Sequence, residues 1–169
     1  MNDLDLYNTV LSKNITHVKK IKKLNKITNL NYIKIYHLNI RSYSKNHLEL
    51  WSFLDTFNFK FDILILSETW NNFVTSHYYS NYYTAIYKIN DKNKSGGVAI
   101  FIKTKLFINE INLSFLPLND DIDIVGCTYK YDENIWNIFG IYSHNLNTSK
   151  KLDNMIQLID KNYNLSNNI

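Results

Sequence analysis

The sequence has 169 residues, 45% hydrophobic and 20% charged, which suits one packed domain and excludes wholesale disorder. A single cysteine, Cys127, excludes an intrachain disulfide and with it a stapled secreted domain. The formal charge of +4 is confined to residues 1–31, where six lysines face two aspartates; residues 32–169 balance 13 basic with 13 acidic side chains.

No apolar run reaches the ~18 residues of a membrane span. The opening MNDLDLYNTV has no apolar signal-peptide core. These features point to an intracellular protein, nuclear or cytoplasmic, and not a secreted one. The 26 Asn, 22 Ile, 18 Lys and 13 Tyr share A/T-rich codons, which reads as nucleotide bias. A prion-like tract is the rival, but the asparagines are spread through regular apolar patterns.

In chain order, residues 1–31 read as a basic, poorly ordered leader, densest at VKKIKKLNKI; an arm for phosphate backbone is the rival reading. The domain proper is 32–169. IKIYHLNI (33–40) reads as a strand with Ile33, Ile35, His37 and Asn39 on one face. A helix follows over about 44–57, capped by Ser44, with Leu50, Phe53, Leu54 and Phe57 on its buried stripe. DILILSE (62–68) is an unbroken apolar run, as in a strand covered on both faces. Strand, helix and strand in that order predict a parallel βαβ unit.

YYTAIYKI (82–89) and GVAIFIK (97–103) flank a polar turn and read as a hairpin. DIDIVGCTYKY (121–131) and NIWNIFGIY (134–142) read as a second hairpin across Asp132-Glu133. The last element is a helix over about 149–161, with Leu152, Met155, Ile156 and Ile159 facing inward.

Three of these strands end in polar residues: one at Asn39 and Arg41, one at Glu68, and one at Tyr142, followed by Ser143, His144 and Asn145. Ligands of α/β sheets sit beyond the carboxyl ends of strands, so side-by-side strands would bring these ends into one cleft. A carboxylate leaving a buried strand must be paired, hydrogen-bonded or metal-bound. Glu68 is therefore a candidate ligand for a hard cation such as Mg²⁺, with a lysine-paired strand end as the plain alternative. Arg41 is the only arginine, and guanidinium grips phosphate in a planar, bidentate way that lysine cannot copy. His144 is a candidate base or phosphate contact. Cys127 reads as a small buried strand residue.

The ordered set HLNIRS (37–42), DILILSETW (62–70), SGGVAIFIK (95–103) and FGIYSHN (139–145) resembles the endonuclease/exonuclease/phosphatase superfamily. It is most similar to the apurinic-endonuclease-like domain of non-LTR retrotransposon reverse-transcriptase proteins. The resemblance covers about 32–165 and implies a four-layer α/β sandwich, of which this chain would hold the N-terminal half: one mixed sheet with helices on one face. It implies Asn39 and Glu68 as metal residues, Tyr142 and Asn145 as further catalytic residues, and Arg41 and His144 on the substrate side. It implies Mg²⁺ as cofactor, DNA phosphodiester as substrate, and a longer protein whose C-terminal half or reverse transcriptase region is missing here.

Two motifs of that family, a Gly-Asp-Phe-Asn-like and a Ser-Asp-His-like strand end, do not occur. The resemblance therefore implies an incomplete site with little activity on its own, and a sheet face left without its partner. The competing readings are another branch of the superfamily, such as a phosphatase or sphingomyelinase; a non-catalytic nucleic-acid-binding or interaction module; and a plain α/β domain without a site.

Overall fold

The apolar run of residues 63–67 becomes a central strand, β2 (Ile63–Ser67), in a computed structural model that describes residues 32–57, 60–70, 81–89, 95–117, 121–144 and 149–164. The basic leader, 1–31, lies outside the described residues. The chain divides into two compact units. One joins Met1–Tyr32 with Trp51–Lys60, the other Ile33–Leu50 with Phe61–Ile169. In the first, Trp51 and Leu54 are buried, Phe53 meets Phe57 edge to face at 5.1 Å, and Lys60 pairs with Asp55. Everything below concerns the second.

Its strands form two sheets. Sheet A has the order β1-β2-β4-β3, with β1 (Ile35–Asn39), β3 (Tyr83–Lys88) and β4 (Val98–Lys103). β1 runs parallel to β2, with Asn39 opposite Ser67, as the βαβ pattern predicts. β3 and β4 are antiparallel, as the hairpin pattern predicts. Sheet B has the order β5-β6-β7, with β5 (Phe107–Glu110), β6 (Ile122–Tyr131) and β7 (Asn134–Ser143). Asp132 and Glu133, at φ 50° and 64°, form the tight turn of the second hairpin, since positive φ at both central residues matches strand twist. β5 has no counterpart in the sequence reading: four residues are too few to show a period.

Alternation decides the layers. Ile100 and Ile102 of β4 pack with Val125, Cys127 and Tyr129 of β6, so the two sheets cover each other's inner faces. Phe101, on the other face of β4, stacks on Tyr43 of helix α1 (Tyr43–Asp55) at 5.7 Å. Ile122 and Ile124, on the other face of β6, pack with Met155 and Ile159 of α2 (Ser149–Asn164). The expected α/β sandwich is present, with its strands in two sheets where the sequence suggested one, and a helix outside each. Because β4 is buried along both faces, it needs cover on both sides, and the β6–β7 hairpin supplies the inner cover. The expectation of a sheet face left bare for want of a partner is overturned for the same reason.

Two smaller expectations change. The N-cap of α1 is Ser42, whose carbonyl accepts the first helical bond from the Asn46 N–H at 3.2 Å; Ser44 lies inside the helix. In α2, Ile156 is exposed, and the buried stripe runs through Leu152, Met155, Ile159 and Tyr163.

Candidate functional site

The chain leaves β2 at Glu68 in a left-handed conformation, φ 54°, and Trp70 follows at 64°. The parallel neighbour leaves β1 the same way, with Arg41 at 49° and Ser42 at 86°. Such φ values cost a non-glycine residue roughly 1–3 kcal/mol each and persist only where other bonds hold them. Here the two loops hold each other. The Ser42 N–H donates to the Glu68 carbonyl at 2.8 Å, and the Tyr43 N–H to the Thr69 carbonyl at 3.0 Å. The second loop also rests on the turn before β4: the Trp70 N–H donates to the Gly96 carbonyl at 2.8 Å, and the Thr69 N–H to Gly97 at 3.4 Å.

The backbone thus aims the Glu68 side chain, and two neighbours receive it. Asn39 Nδ2 donates to Glu68 Oε1 at 2.7 Å. Tyr142, from the other sheet, donates its hydroxyl to the same oxygen at 3.1 Å. Burial pushes the Tyr142 phenol above its ordinary value, and the hydrogen bond to Glu68 with the charges of Glu68 and Asp123 pushes it further the same way.

A second pair lies beside Tyr142. The His144 ring stands at 84° to the Tyr142 ring, with centroids 4.9 Å apart. His144 Nε2 lies 2.8 Å from Oδ2 of Asp123, a carboxylate only 2% exposed. The same oxygen accepts the Gly97 N–H at 2.8 Å. Gly96 and Gly97 have φ of 104° and 82°, and there is no room for a side chain. A Cβ on Gly96 would lie 2.1 Å from His144 Cε1, and one on Gly97 2.5 Å from Thr69 Oγ1. The Gly-Gly pair is a hairpin feature in the sequence; in the structure it also lets the backbone pass between Thr69 and His144.

Of the residues singled out in the sequence, Asn39, Glu68 and Tyr142 meet directly, and His144 joins them through Tyr142. Arg41 is exposed on the adjoining loop, its carbonyl accepting from Asn46 Nδ2 at 3.0 Å. Asn145 lies outside the described residues. Cys127 is fully buried, and burial, with the nearby charge of Glu110, pushes its thiol up to about 12.

Asp123 is absent from the sequence reading, although a signal for it exists. Counting back from the two-residue turn at Asp132-Glu133 sets Asp123 opposite Tyr142, the register observed. Thr69 Oγ1 and Trp70 Nε1 are buried without a hydrogen-bond partner among the described residues, and Lys45 Nζ lies 5.7 Å from the Trp70 ring centre. A separate cavity of ≈ 540 Å³, lined by Leu113, Leu116, Ile122, Ile124 and Met155 among others, includes none of the site residues.

The donor chemistry at Glu68 fits a hard cation, since magnesium takes one or two carboxylates with other oxygen ligands and keeps several waters. Among the described residues no three His, Cys, Asp or Glu side chains gather around one point. No helix among them is long and apolar enough to cross a membrane.

No family model matches the sequence, and no curated protein matches it. Among solved structures, the chain is similar to a humanized TDP2 of D. rerio carrying 14 mutations, with TM-score 0.56 and 12% identity. The match covers 78% of this chain and 59% of that one, so the chain spans less than two thirds of its structural relative. This likeness shows the fold alone, an α/β sandwich of two sheets with helices outside them.

Proposed function

We propose that the strand-end cluster is the metal-and-phosphate side of a Mg²⁺-dependent phosphodiesterase site for DNA, of the kind that nicks DNA in non-LTR retrotransposon proteins, carried by residues 32–169. The observation that carries this reading is the gathering of Asn39 and Tyr142 on one oxygen of Glu68, from two sheets. A carboxylate fixed by two donors is pre-oriented for a cation, as outer partners orient metal ligands elsewhere.

In this reading Glu68 and the Asn39 amide oxygen hold the ion. When bound, magnesium supplies positive charge to the phosphate and leaving oxygens. Asn39 holds the Glu68 carboxylate in place through its amide N–H. The Tyr142 hydroxyl gives its one proton to Glu68 Oε1, and in the substrate complex it would turn that proton to a phosphate oxygen. Arg41, on the loop after β1, and His144, directly after β7, are anion contacts in this reading. The SETW and GGVAIFIK segments support the retrotransposon branch over other branches.

The Gly-Asp-Phe-Asn-like and Ser-Asp-His-like strand ends, which in this reading would carry a water-positioning Asp and a phosphate-binding His, do not occur in these 169 residues. The chain alone is therefore expected to bind Mg²⁺ and DNA with little turnover. A supercoiled-plasmid nicking assay with Mg²⁺, run beside DNA-binding titrations, tests this. Mg²⁺-dependent DNA binding that weakens in Glu68→Ala, with negligible nicking, is the expected result. Nicking that Glu68→Ala abolishes would show a complete site. DNA binding indifferent to Mg²⁺ and to Glu68 would favour a non-catalytic binding module.

A further inference from the structure

We propose that Asp123 is a positioning residue for Glu68, acting from the opposite sheet along two routes that close into a ring. This rests on the reading of Glu68 as the metal ligand. One route is main chain. Asp123 Oδ2 accepts from Gly97 N–H, and the Gly96 and Gly97 carbonyls accept from Trp70 and Thr69. Those N–H groups directly follow Glu68 and keep its left-handed backbone in place. The other route is side chain. Asp123 Oδ2 holds His144 Nε2, the His144 ring stands against Tyr142, and the Tyr142 hydroxyl reaches Glu68 Oε1. Asp123 and Tyr142 are also direct cross-strand partners.

Both routes start from one oxygen of one buried carboxylate, and both end on Glu68. A carboxylate 2% exposed carries a large desolvation cost, which its bonds to Gly97 and His144 help to offset. Those bonds place it where a neutral apolar residue would otherwise complete the inner row of Val125, Cys127 and Tyr129. Residues that orient a metal ligand from outside change metal affinity without touching the ion, and Asp123 occupies that position on both sides of Glu68.

The test uses the full chain, ¹⁵N-labelled, with Mn²⁺ alone as the metal probe. The first readout needs no metal: the Asn39 side-chain amide peaks, identified by their loss in Asn39→Asp, report the bond to Glu68. The second is the Mn²⁺ concentration that broadens the backbone amides of Asn39 and Glu68. Asp123→Ala should move the Asn39 peaks toward their position in Glu68→Ala and raise the Mn²⁺ midpoint by ~10-fold or more. Asp123→Asn, whose amide oxygen can accept from Gly97 and His144, should restore both readouts, while unchanged β2 and β4 amide peaks certify the fold. Should Asp123→Ala fail to fold, His144→Ala removes one route and must move the Asn39 peaks in the same direction.

Asn39 peaks and Mn²⁺ midpoint at wild-type values in a folded Asp123→Ala or His144→Ala would overturn the proposal. So would an Asp123→Asn variant that behaves like Asp123→Ala. Equal Mn²⁺ binding by wild type and Glu68→Ala would instead sink the metal reading, and the Asn39 peaks would still decide the role of Asp123.

Discussion

Asn39 and Glu68 meet side chain to side chain at 2.7 Å, although 29 residues separate them. The parallel register makes this contact. Asn39 is paired with Ser67, so Glu68 emerges one step beyond the end of β1, where the asparagine amide can reach it. Because the oxygen that accepts from Asn39 also accepts from Tyr142, the carboxylate couples the two sheets.

That coupling can be read through Tyr142. Its pKa is raised by burial first, then by the Glu68 bond and the Glu68 and Asp123 charges. Glu68→Gln removes one charge and leaves the burial and Asp123. The Tyr142 titration should therefore fall while staying above the ordinary 10.0. NMR titration of ¹³Cζ-labelled tyrosines, with Tyr142→Phe for assignment, measures this; an unmoved titration would refute the coupling.

The glycine turn should tolerate no side chain. Gly96→Ala sets a Cβ against His144 and Asp123 in a left-handed backbone, and strain of this kind costs ~1–3 kcal/mol before the clash is added. Urea unfolding should show at least that loss. The Asn39 side-chain amide should shift as well, because the turn supports the loop that carries Glu68.

At the opposite end of sheet A, Asp62 sits between Lys103 Nζ at 2.6 Å and the Lys34 N–H at 2.7 Å. The Asp62 and Lys103 side chains are only 10% and 12% exposed. Asp62→Ala leaves the Lys103 ammonium without this carboxylate, a change that costs about 3–5 kcal/mol in buried pairs. The double variant Asp62→Ala/Lys103→Met should recover part of that loss in denaturant unfolding. No recovery would mean that the pair is not the source of the cost.

Cys127 predicts a pH effect of definite sign. Its folded-state pKa is raised from 9.0 to about 12. Between those values the folded chain keeps a proton that the unfolded chain has lost, so unfolding is favoured as pH rises. The contribution is fully present below pH 9 and is lost through about pH 12. Cys127→Ala should flatten that part of the stability profile. At pH 8, thiol reagents should label the native chain far more slowly than the urea-unfolded one.

Much of the fold was legible because local patterns and final environment agree. The run DILILSE is apolar on both faces because β2 is buried on both, and the Asp132-Glu133 turn sets the β6–β7 register by itself. Ile156 and β5 were misread or missed for the converse reason. Which part of an amphipathic helix is covered, and whether a four-residue segment pairs, depend on neighbours far away in sequence.

The candidate site divides the same way. Asn39, Glu68 and Tyr142 could be named as candidates from the chain because each directly follows or ends an apolar strand. That the strands belong to two sheets, and that Asp123 links the Gly96–Gly97 turn to His144, could not. Local sequence determines where a strand ends and which way its side chains alternate. Only packing determines which ends face each other, because long-range contacts between sheets arise from burying two apolar faces together, and no short pattern records the partner.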